Sequence, residues 1–142
     1  MDRTLRLLMW AMGIACVCIG LYHVVGGIAT VPGETHAGAT VDSRERFYNA
    51  IFAGYGAAWL YAVRRPVVPA VWVRALAAVF LLGGIGRLLS LAVHGQPHWF
   101  QLPLIVLELV LPPLFLWLAP ADERARGADR PEAAGRPLEP QL

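Results

Sequence analysis

Lysine is absent from this sequence, and all twelve basic side chains are arginine. With ten acidic residues the net charge is only +2. That is too small and too dispersed for a nucleic-acid grip, which needs a clustered basic face. Arginine in place of lysine, with abundant Ala, Gly and Pro, points to a high-GC bacterial genome. Cysteine is nearly absent as well. Cys16 and Cys18 stand two apart in an apolar run, so there is neither a CxxC redox pair nor a zinc knuckle. On a helix they point in different directions and read as small lipid- or core-facing side chains. Charge is scarce, at 15% of residues against about a quarter in soluble domains. Nine of the 22 charged residues follow Ala121. The sequence carries no Ser-His-Asp order, no HExxH, no Gly-rich phosphate loop, no selectivity-filter motif and no strong internal repeat. The spacing of His23, His94, His98 and Glu108 is not that of a metal site, and neither a metal nor a cofactor is expected.

What the sequence has is apolar length. Of its 142 residues 57% are hydrophobic. Four apolar segments run over about 7–31, 47–63, 68–93 and 99–119. A helix of about 20 apolar residues crosses a bilayer. A signal peptide is the rival reading of the first segment, because Arg3 and Arg6 make a basic start. However, its uncharged run from Leu7 to Gly33 exceeds the roughly 7–15 residues of a signal-peptide core. A chain in lipid must satisfy its backbone internally, and these segments do not alternate in polarity as barrel strands do. The expected fold is therefore all-α, a polytopic membrane protein with four transmembrane helices. Short connections make it an antiparallel bundle. Residues 1–120 form this domain. Residues 121–142, rich in charge, Pro and Gly and free of aromatics, are expected to be a disordered cytoplasmic tail.

Arginine placement sets the expected orientation. Arg3, Arg6, Arg64, Arg65 and the tail arginines share one side, with Arg74 at its edge. Both termini are thus expected in the cytoplasm of an inner-membrane protein, with the Val31–Glu45 loop and the Gly95–His98 turn facing outward. Trp10, Trp59 and Tyr61 read as cytoplasmic interface anchors and Trp99 as an outer one. Small residues mark packing seams in lipid: Gly13, Gly20 and Gly27 on the first helix, Ala50, Gly54 and Ala58 with a parallel Ala53–Ala57 stripe on the second, and Gly83–Gly84 on the third. Pro112-Pro113 should kink the fourth helix.

Ionisable groups inside apolar segments are costly and should face inward in pairs. Arg87 and Glu108 fall at comparable depth, roughly 10–13 Å below the outer ends at 1.5 Å per residue. His23, Tyr22, Asn49 and Tyr55 reach the same layer. Ser90 and His94 share the face of Arg87, and Arg46 shares that of Asn49. A polar pocket in the outward half results, without a continuous ion path. Three uses are open. The pocket could hold a lipid-like or small amphipathic molecule. Glu108 and His23 could act as acid and base in a small membrane enzyme on a lipid-like substrate. Alternatively, the Arg87–Glu108 pair could be purely structural. Membrane lipid is the expected partner, with self-association or another membrane protein as alternatives, and nucleic acid is not expected.

The string FLLGGIGRLLSLAVHGQPHWFQLPLIVLELVLPPLFLWL and the RFYNAIFAGYG that opens the second helix resemble the bacterial domain-of-unknown-function family numbered 4345. The Gly-Gly-x-Gly-Arg pattern matches Gly83, Gly84, Gly86 and Arg87. The Gly-x-Pro turn matches Gly95 and Pro97, and the last-helix Glu matches Glu108. The resemblance spans about Arg6 to Leu118. It implies a small four-helix inner-membrane protein and marks Arg46, Asn49, Arg87 and Glu108, without implying a reaction or ligand.

Overall fold

The computed structural model describes residues 3–34, 37–66 and 68–128, with side chains through residue 119. Four helices follow one another: α1 (Arg3–Gly26), α2 (Ala39–Arg64), α3 (Ala70–His94) and α4 (Gln101–Ala128), with a short 3₁₀ turn over Gly27–Thr30 after α1. Three stretches are long and apolar enough to cross a membrane: Arg3–Thr30, Ala70–His94 and Gln101–Ala119. α2 is a helix but not one of these, because Asp42, Arg44, Glu45 and Arg46 occupy its first turns and Tyr48, Asn49 and Tyr55 its middle. It begins at Ala39, well before the expected boundary at 47, since Asp42 in the first turn favours the helix N-terminus. α4 runs without interruption through Pro112-Pro113 and on to Ala128, into the stretch expected as tail. His36 and residues 129–142 lie outside the described residues.

The helices pair as two hairpins. α1 packs along α2 and α3 along α4, while α2–α3 and α1–α4 touch over few residues. Glycine allows the first pairing. A Cβ on Gly20 would stand 2.7 Å from backbone atoms of Asn49 and Ala53, and one on Gly56 would stand 2.7 Å from the Val17 nitrogen. The seam therefore uses Gly13, Gly20, Ala53 and Gly56, not the expected Ala50–Gly54–Ala58 stripe. Gly54 has open space beside it, and Ala50 is exposed.

The hairpins join mainly toward one end. Leu5 and Met9 of α1, Trp59 and Val63 of α2, Val73 and Ala77 of α3, and Phe115 and Leu118 of α4 form one buried cluster there. Trp59 is fully buried with its ring 4.6 Å from that of Phe115, so it is a core residue and not an interface anchor. Arg6 ties this end together by donating to the Val63 and Arg65 carbonyls, which the end of α2 leaves without helical partners. Elsewhere large apolar side chains face outward, among them Leu7, Ile14, Leu21, Val25, Leu82, Leu89, Val110 and Trp117. A water-soluble chain rarely exposes so continuous an apolar surface, and this protein is membrane-associated.

Candidate functional site

Away from the shared core the hairpins diverge, and a cleft of about 950 Å³ lies between them. Its apolar lining includes Leu8, Met12 and Ile19 on one side and Leu104, Leu107 and Leu111 on the other. Polar groups gather toward the other end, divided between the two walls.

The α3–α4 wall carries Arg87, Gln101 and Glu108. Gln101 and Glu108 are seven residues apart on α4, which puts them on one helix face. Arg87 lies on α3 opposite them. Its Nε donates to Glu108 Oε1 at 2.9 Å and its Nη1 donates to Gln101 Oε1 at 2.7 Å. Oε2 of Glu108 lies 2.8 Å from the same Nε but receives no aligned N–H. The pair is unequally buried: 11% of the Glu108 side chain is exposed against 40% of Arg87. Gly84, three residues before Arg87, lets α4 approach, since a Cβ there would stand 3.1 Å from that of Glu108. A second, smaller recess of about 260 Å³ lies between α2 and α3 and shares Arg87 and Glu108 with the cleft. Tyr55 lines it, stacked between Phe52 and Phe80, and donates from its hydroxyl to the Leu76 carbonyl at 2.6 Å.

The α1–α2 wall carries Tyr22, His23, Thr30, Glu45, Tyr48 and Asn49. Asn49 Nδ2 donates to the Glu45 carbonyl at 2.9 Å and to Glu45 Oε1 at 2.8 Å. The Thr30 hydroxyl donates to the Gly27 carbonyl at 2.7 Å, and its oxygen lies 2.6 Å from His23 Nδ1. Because the hydroxyl proton is already committed, Nδ1 is the donor in that contact, and Nε2 of the neutral ring is left as an acceptor. Tyr22 meets the His23 ring edge-on at 5.3 Å and is itself exposed.

Of the residues expected in the polar layer, Arg87, Glu108, His23, Tyr22 and Asn49 line the cleft, and Tyr55 lines the adjoining recess. Ser90 and His94 do not. Both are exposed and line neither cavity, although their spacing puts them on the same helix face as Arg87. Arg46 is also elsewhere, tying the end of α1 to the start of α2. Its Nη1 donates to the Val24 and Val25 carbonyls and its Nε donates to Asp42 Oδ2 at 2.8 Å. Asp42 Oδ1 accepts from the Ile28 amide at 2.9 Å. The Arg46 guanidinium, and then the Ile28 N–H, hold the Asp42 carboxyl below its usual range. Gly27, at φ +60°, makes this clasp possible, since a side chain there would collide with both Asp42 and Arg46.

Gln101 and Glu45 were not singled out from the sequence. The seven-residue spacing from Glu108 marks Gln101, and the four-residue spacing to Asn49 marks Glu45. Glu108 and His23 face the cleft from opposite walls, and no hydrogen bond joins them among the described residues. Cys16 lines the cleft and is buried, while Cys18 is an exposed cysteine at its edge.

Residues 4–119 match the family model described as Domain of unknown function (DUF4345), and the chain belongs to that family. No curated protein and no solved structure matches the chain.

Proposed function

We propose that this member of the DUF4345 family is a bacterial inner-membrane protein that binds a lipid-like amphipathic molecule, without chemistry, between its two helix hairpins. All four helices cross the bilayer, with both termini in the cytoplasm. α2 is then a span shielded on one side by α1, which explains how a helix too polar to stand alone in lipid is tolerated. The joined end faces the cytoplasm and the cleft opens toward the outer half.

The observation that carries this reading is the cleft itself, about 950 Å³, lined mainly by apolar side chains with a few polar groups among them. Small-molecule sites have this character, with volumes of roughly 300–1,000 Å³. A purely structural Arg87–Glu108 pair calls for a closed contact, whereas this arginine is well exposed. Acid–base work calls for a group free to exchange a proton beside a reacting atom. Here Glu108 is engaged by Arg87, and His23 stands on the opposite wall with no hydrogen bond to it among the described residues.

Mass spectrometry of lipid extracted from protein purified in mild detergent tests the reading. We expect a bound amphiphile at near-stoichiometric amount, lost in Leu104→Trp, which fills the cleft, while the variant keeps its helical circular dichroism. Equal lipid retention by the folded variant, or none by the original protein, refutes cleft binding. An active C-terminal reporter only on the outer side refutes the orientation.

A further inference from the structure

The two walls of the cleft mouth differ in the hydrogen-bonding groups they leave unused, and this narrows the ligand proposed above. On the α3–α4 wall, Gln101 accepts from Arg87 through Oε1. That contact fixes the amide orientation and leaves the Nε2 hydrogens for something else. Nη2 of Arg87 makes no hydrogen bond among the described residues, whereas Nε and Nη1 are both used. This wall therefore offers donors from Arg87 and Gln101, beside the one Glu108 oxygen that receives no aligned N–H. On the α1–α2 wall, the two donations of Asn49 Nδ2 to Glu45 fix that amide too and leave Oδ1 as an acceptor. Nε2 of His23 is an acceptor by the hydroxyl argument, and the Glu45 carboxylate accepts further bonds. This wall offers these acceptors, beside the Tyr22 and Tyr48 hydroxyls that can donate or accept.

The charge count points the same way. Among cleft-lining residues Arg87 carries the positive charge, and Glu108 and Glu45 carry negative ones. Glu108 already neutralises Arg87, and Glu45 adds a negative charge at the mouth without an opposing Arg among the cleft-lining residues. An anionic head would meet uncompensated like charge in a low-dielectric setting.

We infer that the ligand head is uncharged and hydroxylated, and specifically that the cleft takes a phosphate-free glycerol ester, a mono- or diacylglycerol. Its ester carbonyl accepts from Arg87 Nη2 and Gln101 Nε2. Its free hydroxyl donates to Asn49, Glu45 or His23, and its chain lies along Met12, Leu104, Leu107 and Leu111. This inference rests on the cleft-binding reading, and the test separates the two.

Purified full-length protein in nanodiscs is labelled with photoreactive probes sharing one diazirine-bearing acyl chain. The probes are the monoacylglycerol, the free fatty acid and the lysophosphatidic acid. We expect the monoacylglycerol to label cleft peptides about tenfold more than either anion, the equivalent of one hydrogen bond to a charged group. In Gln101→Leu its labelling drops several-fold. In Glu45→Gln, which keeps an oxygen for Asn49, labelling by the two anions rises several-fold. Anionic probes labelling the cleft as well as the monoacylglycerol, or no response to Gln101→Leu, refutes the glycerol-ester assignment and leaves cleft binding standing. Failure of every probe to label the cleft overturns both.

Discussion

Arg87 and Glu108 are unequal partners, and that inequality predicts which substitution does more harm. Arg87→Met keeps the aliphatic stem against α4 and removes the guanidinium. It leaves a carboxylate that is 11% exposed with no donor from α3. Glu108→Gln leaves the opposite remnant, an arginine with 40% of its side chain exposed, still bonded to Gln101 and able to take up water. Exposed pairs contribute about 0–1 kcal/mol, and removing one member of a fully buried pair costs roughly 3–5 kcal/mol. The observed burial lies between these limits. We expect Arg87→Met to destabilise by about 2 kcal/mol and Glu108→Gln by less than about 1 kcal/mol, since only the first strands a buried charge. The double variant removes that stranded charge, so it should be less destabilised than Arg87→Met alone, with a coupling of roughly 1–1.5 kcal/mol. Reversible denaturant unfolding in detergent micelles, followed by circular dichroism, measures the four corners of the cycle. A larger loss for Glu108→Gln than for Arg87→Met, or a coupling near zero, refutes the reasoning.

Two further outcomes follow from contacts elsewhere. A Cβ at Gly56 meets the backbone of α1, whereas one at Gly54 meets nothing; Gly56→Ala should cost about 1–3 kcal/mol and Gly54→Ala should be neutral or stabilise by up to about 1 kcal/mol, as read from the same unfolding titrations. Because the Asp42 carboxyl is held below its ordinary value of 3.8 by Arg46 and the Ile28 amide, its contribution to the clasp is complete above about pH 4 and is lost as pH falls through the depressed folded-state value. Amide exchange of Ile28, corrected for intrinsic rates, should therefore speed up on acidification in the original protein and be fast already at neutral pH in Asp42→Ala, which removes the acceptor; a pH-independent rate in the original protein contradicts the clasp.

The contrast between the legible and the illegible parts of this molecule lies in what lipid does to helix patterning. In water a helix shows its buried face by an apolar stripe. In α1, α3 and α4 apolar side chains face both core and surroundings, so Leu5 and Leu7 look alike in sequence while one is buried and the other exposed. Helix existence was thus readable, and helix rotation was not. Rotation becomes readable only where an element carries groups that cannot face lipid. Arg87 and Glu108 are such groups, and they meet as their depth required. Small residues mark a face more weakly, because they are tolerated on either side. α2 carries Ala50–Gly54–Ala58 and Ala53–Gly56 with equal plausibility, and only the matching Gly13 and Gly20 on α1 decides for the second. Trp59 fails for the related reason that an indole suits an interface and a core equally well, and its burial depends on Phe115 arriving from a distant helix. Ser90 and His94 are a subtler failure. Each was placed by extending the polar face along its own helix, yet the hairpins diverge. A face that meets a neighbour at Arg87 meets none a turn or two later. The divergence that removed those residues from the site is also what opens the cleft. On the binding reading proposed above, an occupant of the cleft would replace, for the separated stretches of α1, α2 and α4, the packing that the shared core supplies at the other end.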